Sequence, residues 1–298
     1  MNTKTNSFYF FISIFCILLI TLFLFTACEK DITVDIPTNE TKVVIEGQIE
    51  AGKNPYVILS RTSGYFSAVD SVAIANTMIL NGVVLVKNNA QIDTLKPTLD
   101  FNFFPPIIYT TNSLVGQIGQ TYTLTVIADG KTFNASTIIP QPVELDSLWF
   151  ELDPPNDDLG FIYAYLSDPP GKGNTYRWFA KRLGKDRKFI APYGSVFNDD
   201  FFDGKTFKFG YNRGSEFNSQ AEDDKNDERG YFKVGDSVVV KYCSIDKDTY
   251  QFYRTFETDV ANNGNPFAQP MPVKTNIDNN GLGVWGGLSA TYDTLVAQ

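Results

Sequence analysis

Hydrophobic and polar residues alternate with a period of two between residues 121 and 139. Residues 121–127 and 132–139 each keep this alternation, and the turn between them contains Asp129-Gly130. Side chains of a strand point to opposite faces in turn, so the alternation is typical of a strand with one buried face. Aspartate followed by glycine favours a tight turn. The pattern therefore predicts a β-hairpin.

Shorter apolar runs with turn residues between them precede this hairpin. Residues 42–49, 55–61 and 83–87 are rich in β-branched and aromatic residues, and an Asn-Gly pair before the third run is a further hairpin signal. Short strands at this spacing predict an immunoglobulin-like β-sandwich over residues 42–140. Pro140, with a second proline two residues later, indicates where this domain ends.

The second half, residues 141–298, is also rich in predicted strands, at residues 145–152, 160–166, 174–182, 238–243 and 281–290. After residue 243 the period changes, and Ser244 or Asp246 can cap a helix that continues to about residue 262. The predicted fold class is mainly β: an N-terminal immunoglobulin-like β-sandwich followed by a β-rich C-terminal domain with one short helix. One apolar side of that helix is predicted to pack against the sheet: Phe252, Tyr253, Phe256 and Val260.

The N-terminus carries a different pattern. Lys4 precedes a predominantly apolar run, residues 8–25, which is followed by small residues and Cys28. This arrangement is typical of a secretory signal, and a cysteine directly after the small residues resembles the lipobox of bacterial lipoproteins. The box predicts a signal peptide over residues 1–27, an acylated Cys28 and a polar tether over residues 28–41. The alternative is an uncleaved N-terminal transmembrane anchor, because the run is nearly long enough to cross a bilayer.

Composition narrows the classes of function. The chain of 298 residues has no histidine, which excludes a Ser-His-Asp triad, a Cys-His pair and zinc sites built on histidine. Its net charge of −9 argues against nucleic acid and anionic membranes as partners. Of three cysteines, one lies in the signal and one is the predicted acylation site, which leaves Cys243 as a predicted buried residue with no partner for a disulfide. We expect neither an enzyme nor a cofactor.

Several short motifs occur in an order that is similar to one known family. They are DITVDIP (31–37), VVIEG (43–47), GQTYTLTV (119–126), DPPGKGNTYRW (168–178), GNPF (264–267) and GLGVW (281–285). The chain resembles the domain-of-unknown-function 4249 family of outer-membrane lipoproteins. The resemblance implies a β-rich periplasmic or surface lipoprotein, often encoded beside a TonB-dependent transporter, that captures or hands over a nutrient. It supplies no catalytic residues.

Aromatic residues near turns and in these motifs are candidates for binding a ligand. Aromatic rings can stack on sugar rings or hold peptide side chains, and loops carry binding residues more often than strands do. The alternative is that these rings fill the β core, which we favour for the two tryptophans. The candidates are Phe103, Phe104, Trp178, Phe201, Phe202, Asp203 and Trp285.

Two acidic loops contain Asp and Asn before Gly, as calcium loops do. One spans residues 198–204 and the other residues 222–230. Neither has the spacing of an EF-hand, so we expect solvated acidic loops and no metal. A further alternative is an envelope hydrolase that uses Asp199, Asp200 or Asp203.

Together these observations predict a lipid-anchored outer-membrane protein, displayed at the cell surface. We expect it to assist a TonB-dependent transporter in capturing an oligosaccharide, a peptide or a chelated metal. An acidic segment directly after Cys28 favours surface display, because it looks like the export tag of some lipoproteins. The rival hypothesis is an adhesion or envelope-structural lipoprotein whose immunoglobulin-like half contacts a protein partner.

Overall fold

Strands dominate the structure, as the alternating pattern predicts. A computed structural model describes residues 40–64, 70–215, 228–262, 269 and 271–298. Residues 1–39, with the predicted signal, Cys28 and most of the tether, lie outside the described residues. So do the GNPF motif and most of the second acidic loop.

The described residues form fifteen strands and two helices. The strands are β1 (Val43–Glu50), β2 (Tyr56–Arg61), β3 (Val83–Lys87), β4 (Ile92–Leu99), β5 (Ile107–Thr110), β6 (Thr121–Ala128), β7 (Lys131–Ile138), β8 (Ser147–Leu152), β9 (Leu159–Ser167), β10 (Thr175–Arg182), β11 (Val196–Asn198), β12 (Thr206–Tyr211), β13 (Phe232–Lys233), β14 (Ser237–Ile245) and β15 (Leu282–Val296). The helices are α1 (Ser71–Thr77) and α2 (Lys247–Asn262). The fold is mainly β, as predicted.

The predicted hairpin is confirmed as β6 and β7, which pair from Thr121↔Ile138 to Ala128↔Lys131. Its turn holds Asp129 at φ 50° and Gly130 at φ 71°, the left-handed conformation that these two residue types tolerate best. The Asn-Gly pair before β3 was a misleading signal. Strand β3 pairs with β4 and β6 rather than with β2, because α1 lies between β2 and β3.

Eleven strands form one continuous sheet, in the order β11-β10-β14-β15-β1-β2-β5-β4-β3-β6-β7. The last strand of the chain, β15, lies between β14 and β1 and runs parallel to β1. This close approach requires glycine at Gly283, whose φ is +104° and where an added Cβ would lie 2.0 Å from the carbonyl oxygen of Ile45. A glycine inside a strand often marks such a close approach of another backbone.

Two hydrophobic cores lie on the same face of this sheet. Alternate residues of β1 fill the first core together with Trp285 from β15, whose indole Nε1 donates to the carbonyl of Tyr122 at 3.0 Å. The second core lies under β10 and β14, where a smaller sheet of β8, β9, β12 and β13 covers Trp178 and its neighbours. Residues 40–298 form one compact unit. The division at Pro140 and the immunoglobulin-like topology remain predictions, and the central sheet runs across that position.

Helix α2 lies on the opposite face of the central sheet. Its cap is Asp246, as predicted: Oδ1 accepts from the backbone amides of Asp248 and Thr249 at 2.9 and 3.0 Å. Tyr250 packs beside Cys243, which is fully buried as predicted. Burial raises the pKa of the Cys243 thiol to about 12. Neither helix in the described part of the chain is long and apolar enough to span a bilayer.

The predicted packing face of α2 is wrong towards its C-terminal end. Phe256 and Val260 are exposed, whereas the buried residues of the helix are Thr249, Tyr250 and Thr255. The four-residue spacing correctly indicated one apolar side, but that side faces open space beside the sheet. The apolar residues therefore line a surface that a ligand can reach.

Candidate functional site

A cavity of about 990 Å³ opens on the sheet face opposite the two cores. Strands β1, β2, β10 and β14 contribute side chains that alternate with core residues, and α2 contributes one wall. Further lining comes from β5, from the turn between β1 and β2, and from loops that include residues 100–104 and 188–191. The volume lies at the upper end of the range of about 300–1,000 Å³ usual for small-molecule sites.

Aromatic rings cover much of the cavity wall. The rings of Tyr56 and Phe103 lie 4.6 Å apart between centroids, and those of Phe252 and Phe256 stack at 5.8 Å. Burial raises the pKa of Tyr56 well above its usual value, so its hydroxyl stays protonated. The aromatic lining residues are Tyr56, Phe103, Phe104, Phe179, Phe189, Tyr253 and Phe256.

Arg177 projects into the cavity from β10 in a fixed orientation. Its guanidinium carbon lies 3.3 Å from the ring centroid of Tyr253 and 4.7 Å from that of Phe179. Its Nε donates to Ser195 Oγ at 3.3 Å, and Ser195 in turn donates to Glu257 Oε1 at 2.6 Å. Cation–π contacts and this hydrogen bond hold the plane of the guanidinium. Among the described residues, no carboxylate forms an ion pair with it.

Glu46 projects into the same cavity from β1. Surrounding protein raises the pKa of its carboxyl by desolvation, while the charges of Arg177 and Lys188 act in the opposite direction. Water in the cavity still reaches the side chain, which is exposed. No ion pair or hydrogen bond within the described residues satisfies the carboxylate. The cavity therefore presents an unpaired anion and a partly unpaired cation.

A second carboxylate at the cavity, Glu50, is fully paired. Its Oε2 bonds Lys241 Nζ at 2.6 Å, while its Oε1 accepts from Tyr292 Oη at 2.8 Å and bonds Lys53 Nζ at 2.8 Å. Burial alone would raise the pKa of Glu50, but the two ammonium groups lower it below its usual value. This cluster is structurally satisfied, so it is the less available partner for a ligand.

A second recess of about 600 Å³ adjoins the cavity. The two share four lining residues: Arg177, Ala191, Ser215 and Phe256. Val260 lines the second recess but not the first. The apolar side of α2 thus runs along both recesses. An elongated ligand can occupy them together.

The comparison with known families decides the assignment of the chain. The sequence model of a family described as a domain of unknown function, DUF4249, matches residues 29–293. The chain belongs to the DUF4249 family. The family predicted from the motifs is thereby confirmed, whereas the description of its members as outer-membrane lipoproteins stays a prediction. No curated protein matches this DUF4249 chain.

Two of the predicted binding residues of this DUF4249 protein line the cavity: Phe103 and Phe104, in the loop between β4 and β5. Phe201 is 93% exposed and does not line either recess. Phe202 is buried in the second core, where its ring stacks on Phe207 at 4.5 Å. A ligand in solution cannot reach Phe202 in this conformation.

The predicted binding role of the two motif tryptophans is corrected by their burial. Trp178 and Trp285 have no exposed surface and occupy the second and first core, respectively. Large aromatic residues give the largest burial of apolar surface in a β core. Both tryptophans therefore fill the β core, which is the alternative that we favoured from the sequence.

Asp203 belongs to a group of three carboxylates away from the cavity. With Asp168 and Asp199, it offers oxygens that lie within 4.8 Å of one another. Donors of the protein account for these oxygens: the amides of Gly173 and Asn174 donate to Asp199, and the amide of Gly171 donates to Asp203. Asp168 accepts from the hydroxyl of Tyr176 and from the amide of Gly204. Asp199 is fully buried, so the expectation of a solvated loop is wrong at that residue. We assign the group to holding the loops together.

Sequence reasoning missed the charged residues of the cavity. Glu46 and Arg177 both lie inside motifs that resemble the family, but each was treated only as part of a strand. The available signal was a charged side chain at an alternate position of strands whose other face is mostly apolar. Their proximity depends on the insertion of β15 between β1 and β14, which periodicity does not reveal.

Proposed function

We propose that this protein captures a small ligand in the aromatic cavity, as a lipid-anchored outer-membrane protein that assists a TonB-dependent transporter. The observation that carries the proposal is the cavity itself. It combines an apolar wall with Glu46 and Arg177, which have no ion-pair partners among the described residues. A concave apolar site with a few convergent polar groups is the usual form of a ligand site.

The proposed location rests on the sequence. Cys28 follows a secretory signal and small residues, which is the pattern of an acylated N-terminus. Several acyl chains anchor a protein lastingly, since each buried CH₂ contributes about 0.8 kcal/mol. The tether after Cys28 then lets the folded part reach a partner at the membrane.

The proposal assigns binding rather than catalysis. A chain without histidine lacks the most common general base. Glu46, a cavity carboxylate that no described residue pairs, faces a guanidinium and aromatic rings, which suits recognition.

Recovery of a partner tests the proposal. The full chain, purified from its own envelope in mild detergent, should bring a TonB-dependent transporter with it, and a Cys28→Ser variant should not stay in the membrane fraction. Deletion of the gene should reduce uptake of the ligand. If no transporter is recovered, and deletion alters attachment but leaves uptake unchanged, the protein is an adhesion or envelope-structural protein and the proposal is wrong.

A further inference from the structure

Two opposite charges face one apolar space, and neither has an ion-pair partner among the described residues. Glu46 comes from β1 and Arg177 from β10, and the guanidinium acts electrostatically on the carboxylate. No ion pair joins them in the described structure, so their charged atoms lie apart. Lys188, at the same wall, adds a second positive charge. The arrangement is a dipolar site lined with aromatic rings.

The free-energy cost of removing water from Glu46 and Arg177 indicates which class of ligand the cavity can bind. A neutral ligand would displace water from both charges and leave each of them without a partner, which is strongly unfavourable. An anion would satisfy Arg177 but would add repulsion at Glu46, and a cation would do the converse. A ligand with a positive and a negative end satisfies both at once.

The aromatic wall adds the second requirement. Most of its rings are phenylalanines, which offer no hydrogen bond to the hydroxyl groups of a sugar. Phe103, Phe104 and Phe256 instead offer apolar contact area. The ligand should therefore carry apolar side chains between its two charged ends.

We propose that the cavity binds a short peptide with free termini and apolar side chains, with its ammonium group at Glu46 and its carboxylate at Arg177. The inference rests on the proposed function and names its ligand. Arg177 is held by Tyr253, Phe179 and Ser195, so it presents its outer nitrogens in a fixed direction. A fixed guanidinium fork suits bidentate recognition of a carboxylate.

Titration calorimetry on the full chain in detergent micelles tests the assignment, with the tripeptide Phe-Ala-Phe as the probe. The free tripeptide should bind, and N-acetylation or C-terminal amidation should each weaken binding about tenfold or more, because each removes a charge-assisted contact. Glu46→Gln should abolish the effect of acetylation but keep that of amidation. Arg177→Gln should do the reverse.

Matched controls keep the test specific. Glu151→Gln and Lys208→Gln disrupt an exposed ion pair that lies outside the cavity and should leave both effects unchanged. If Arg177→Gln does not fold, Lys188→Gln takes its place in the test. This cavity variant keeps the Arg177 stack and should reduce the effect of amidation. Capped and free peptides binding equally well to the unchanged protein would overturn the assignment.

The outcome also separates this inference from the proposed function. If a neutral trisaccharide binds and the tripeptides do not, the peptide inference is wrong while capture in the cavity stands. If the tripeptides do not bind but a transporter is recovered with the protein, again only the inference is wrong. If neither ligand binds and no transporter is recovered, the proposed function is wrong as well.

Discussion

Glu50 and Lys241 lie 191 residues apart in the chain and bond at 2.6 Å on the face of the central sheet that holds the cavity. Strand β15 lies between their strands, so the pair bridges the first and the penultimate strand of the fold across the last one. Only 6% of the Glu50 side chain and 11% of the Lys241 side chain is exposed. The pair therefore fixes one wall of the cavity from within the protein.

Removal of one partner of this pair should destabilise the fold. Glu50→Gln leaves the ammonium of Lys241 poorly compensated, and we expect the free energy of unfolding to fall by about 3 kcal/mol. Chemical denaturation at pH 7 measures the loss. Lys131→Gln, which breaks an exposed ion pair with Glu40, is the control and should change stability by less than about 1 kcal/mol.

The contribution of the same pair should depend on pH. The folded state lowers the pKa of Glu50 below 4.5, so the stabilisation is present above the unfolded pKa and is lost as the pH falls through the folded value. The difference in unfolding free energy between the natural chain and Glu50→Gln should therefore shrink as the pH is lowered from 7 towards 3. A constant difference over this range would contradict the assignment.

Gly283 should tolerate no side chain. Its positive φ alone disfavours alanine by about 1–2 kcal/mol, and the new Cβ would also lie 2.0 Å from the Ile45 carbonyl oxygen. Gly119 has a similar sign of φ, at +77°, but open space around it. Gly283→Ala should therefore lose far more stability than Gly119→Ala in thermal unfolding. Equal losses would mean that β15 does not approach β1 so closely.

The side chain of Asp246 should contribute more to the free energy of unfolding than an ordinary helix cap does. Besides the amides of α2, its Oδ2 accepts from Thr137 Oγ1 at 2.7 Å and from the amide of Gly287 at 3.0 Å. Asp246→Ala should cost more than the 1 kcal/mol or so of a simple cap, since two further buried donors lose their acceptor. Asp70→Ala, the cap of the short helix α1, is the comparison. Equal losses in chemical denaturation would refute the connecting role.

Glu46 should be unfavourable for stability at neutral pH. Desolvation raises the pKa of its carboxyl in the folded state, so ionisation favours the unfolded state once the pH exceeds the unfolded value. Glu46→Gln should raise the denaturation midpoint at pH 8, and this gain should shrink as the pH falls towards 3, where the carboxyl is mostly protonated in both states. Such a stability gain is typical of a site kept for function. A lowered midpoint at pH 8 would show that Glu46 is structurally paired.

Sequence periodicity located most of the described strands and helix α2, but not the cavity. The β6–β7 hairpin and the cap of α2 follow local rules, so Asp129-Gly130 and Asp246 were found. Strand β4 contains Pro97, which cannot donate to a neighbouring strand, and this strand was missed. Strands β5 and β11 are only four and three residues long, too short for a periodic signal.

The candidate site depends on relationships that no local pattern contains. Glu46 and Arg177 face the same cavity because β15 returns from the end of the chain and joins β1 to β14 in one sheet. The aromatic candidates near turns therefore have different environments. Phe103 and Phe104 line the cavity, whereas Phe202 lies in a core. Burial of Trp178 and Trp285 follows from the side of the strand on which they lie.

A binding measurement without a chosen ligand tests the central claim, that the cavity is the ligand site. The full chain, incubated with a size-filtered extract of growth medium, is examined by native mass spectrometry. Gln48→Trp fills the cavity from β1, while Ile127→Trp adds the same side chain at an exposed position of β6 that does not line the cavity. The account predicts small bound masses with the natural chain and Ile127→Trp, and their loss with Gln48→Trp. Bound masses that persist in Gln48→Trp, or their absence from the natural chain, would contradict it.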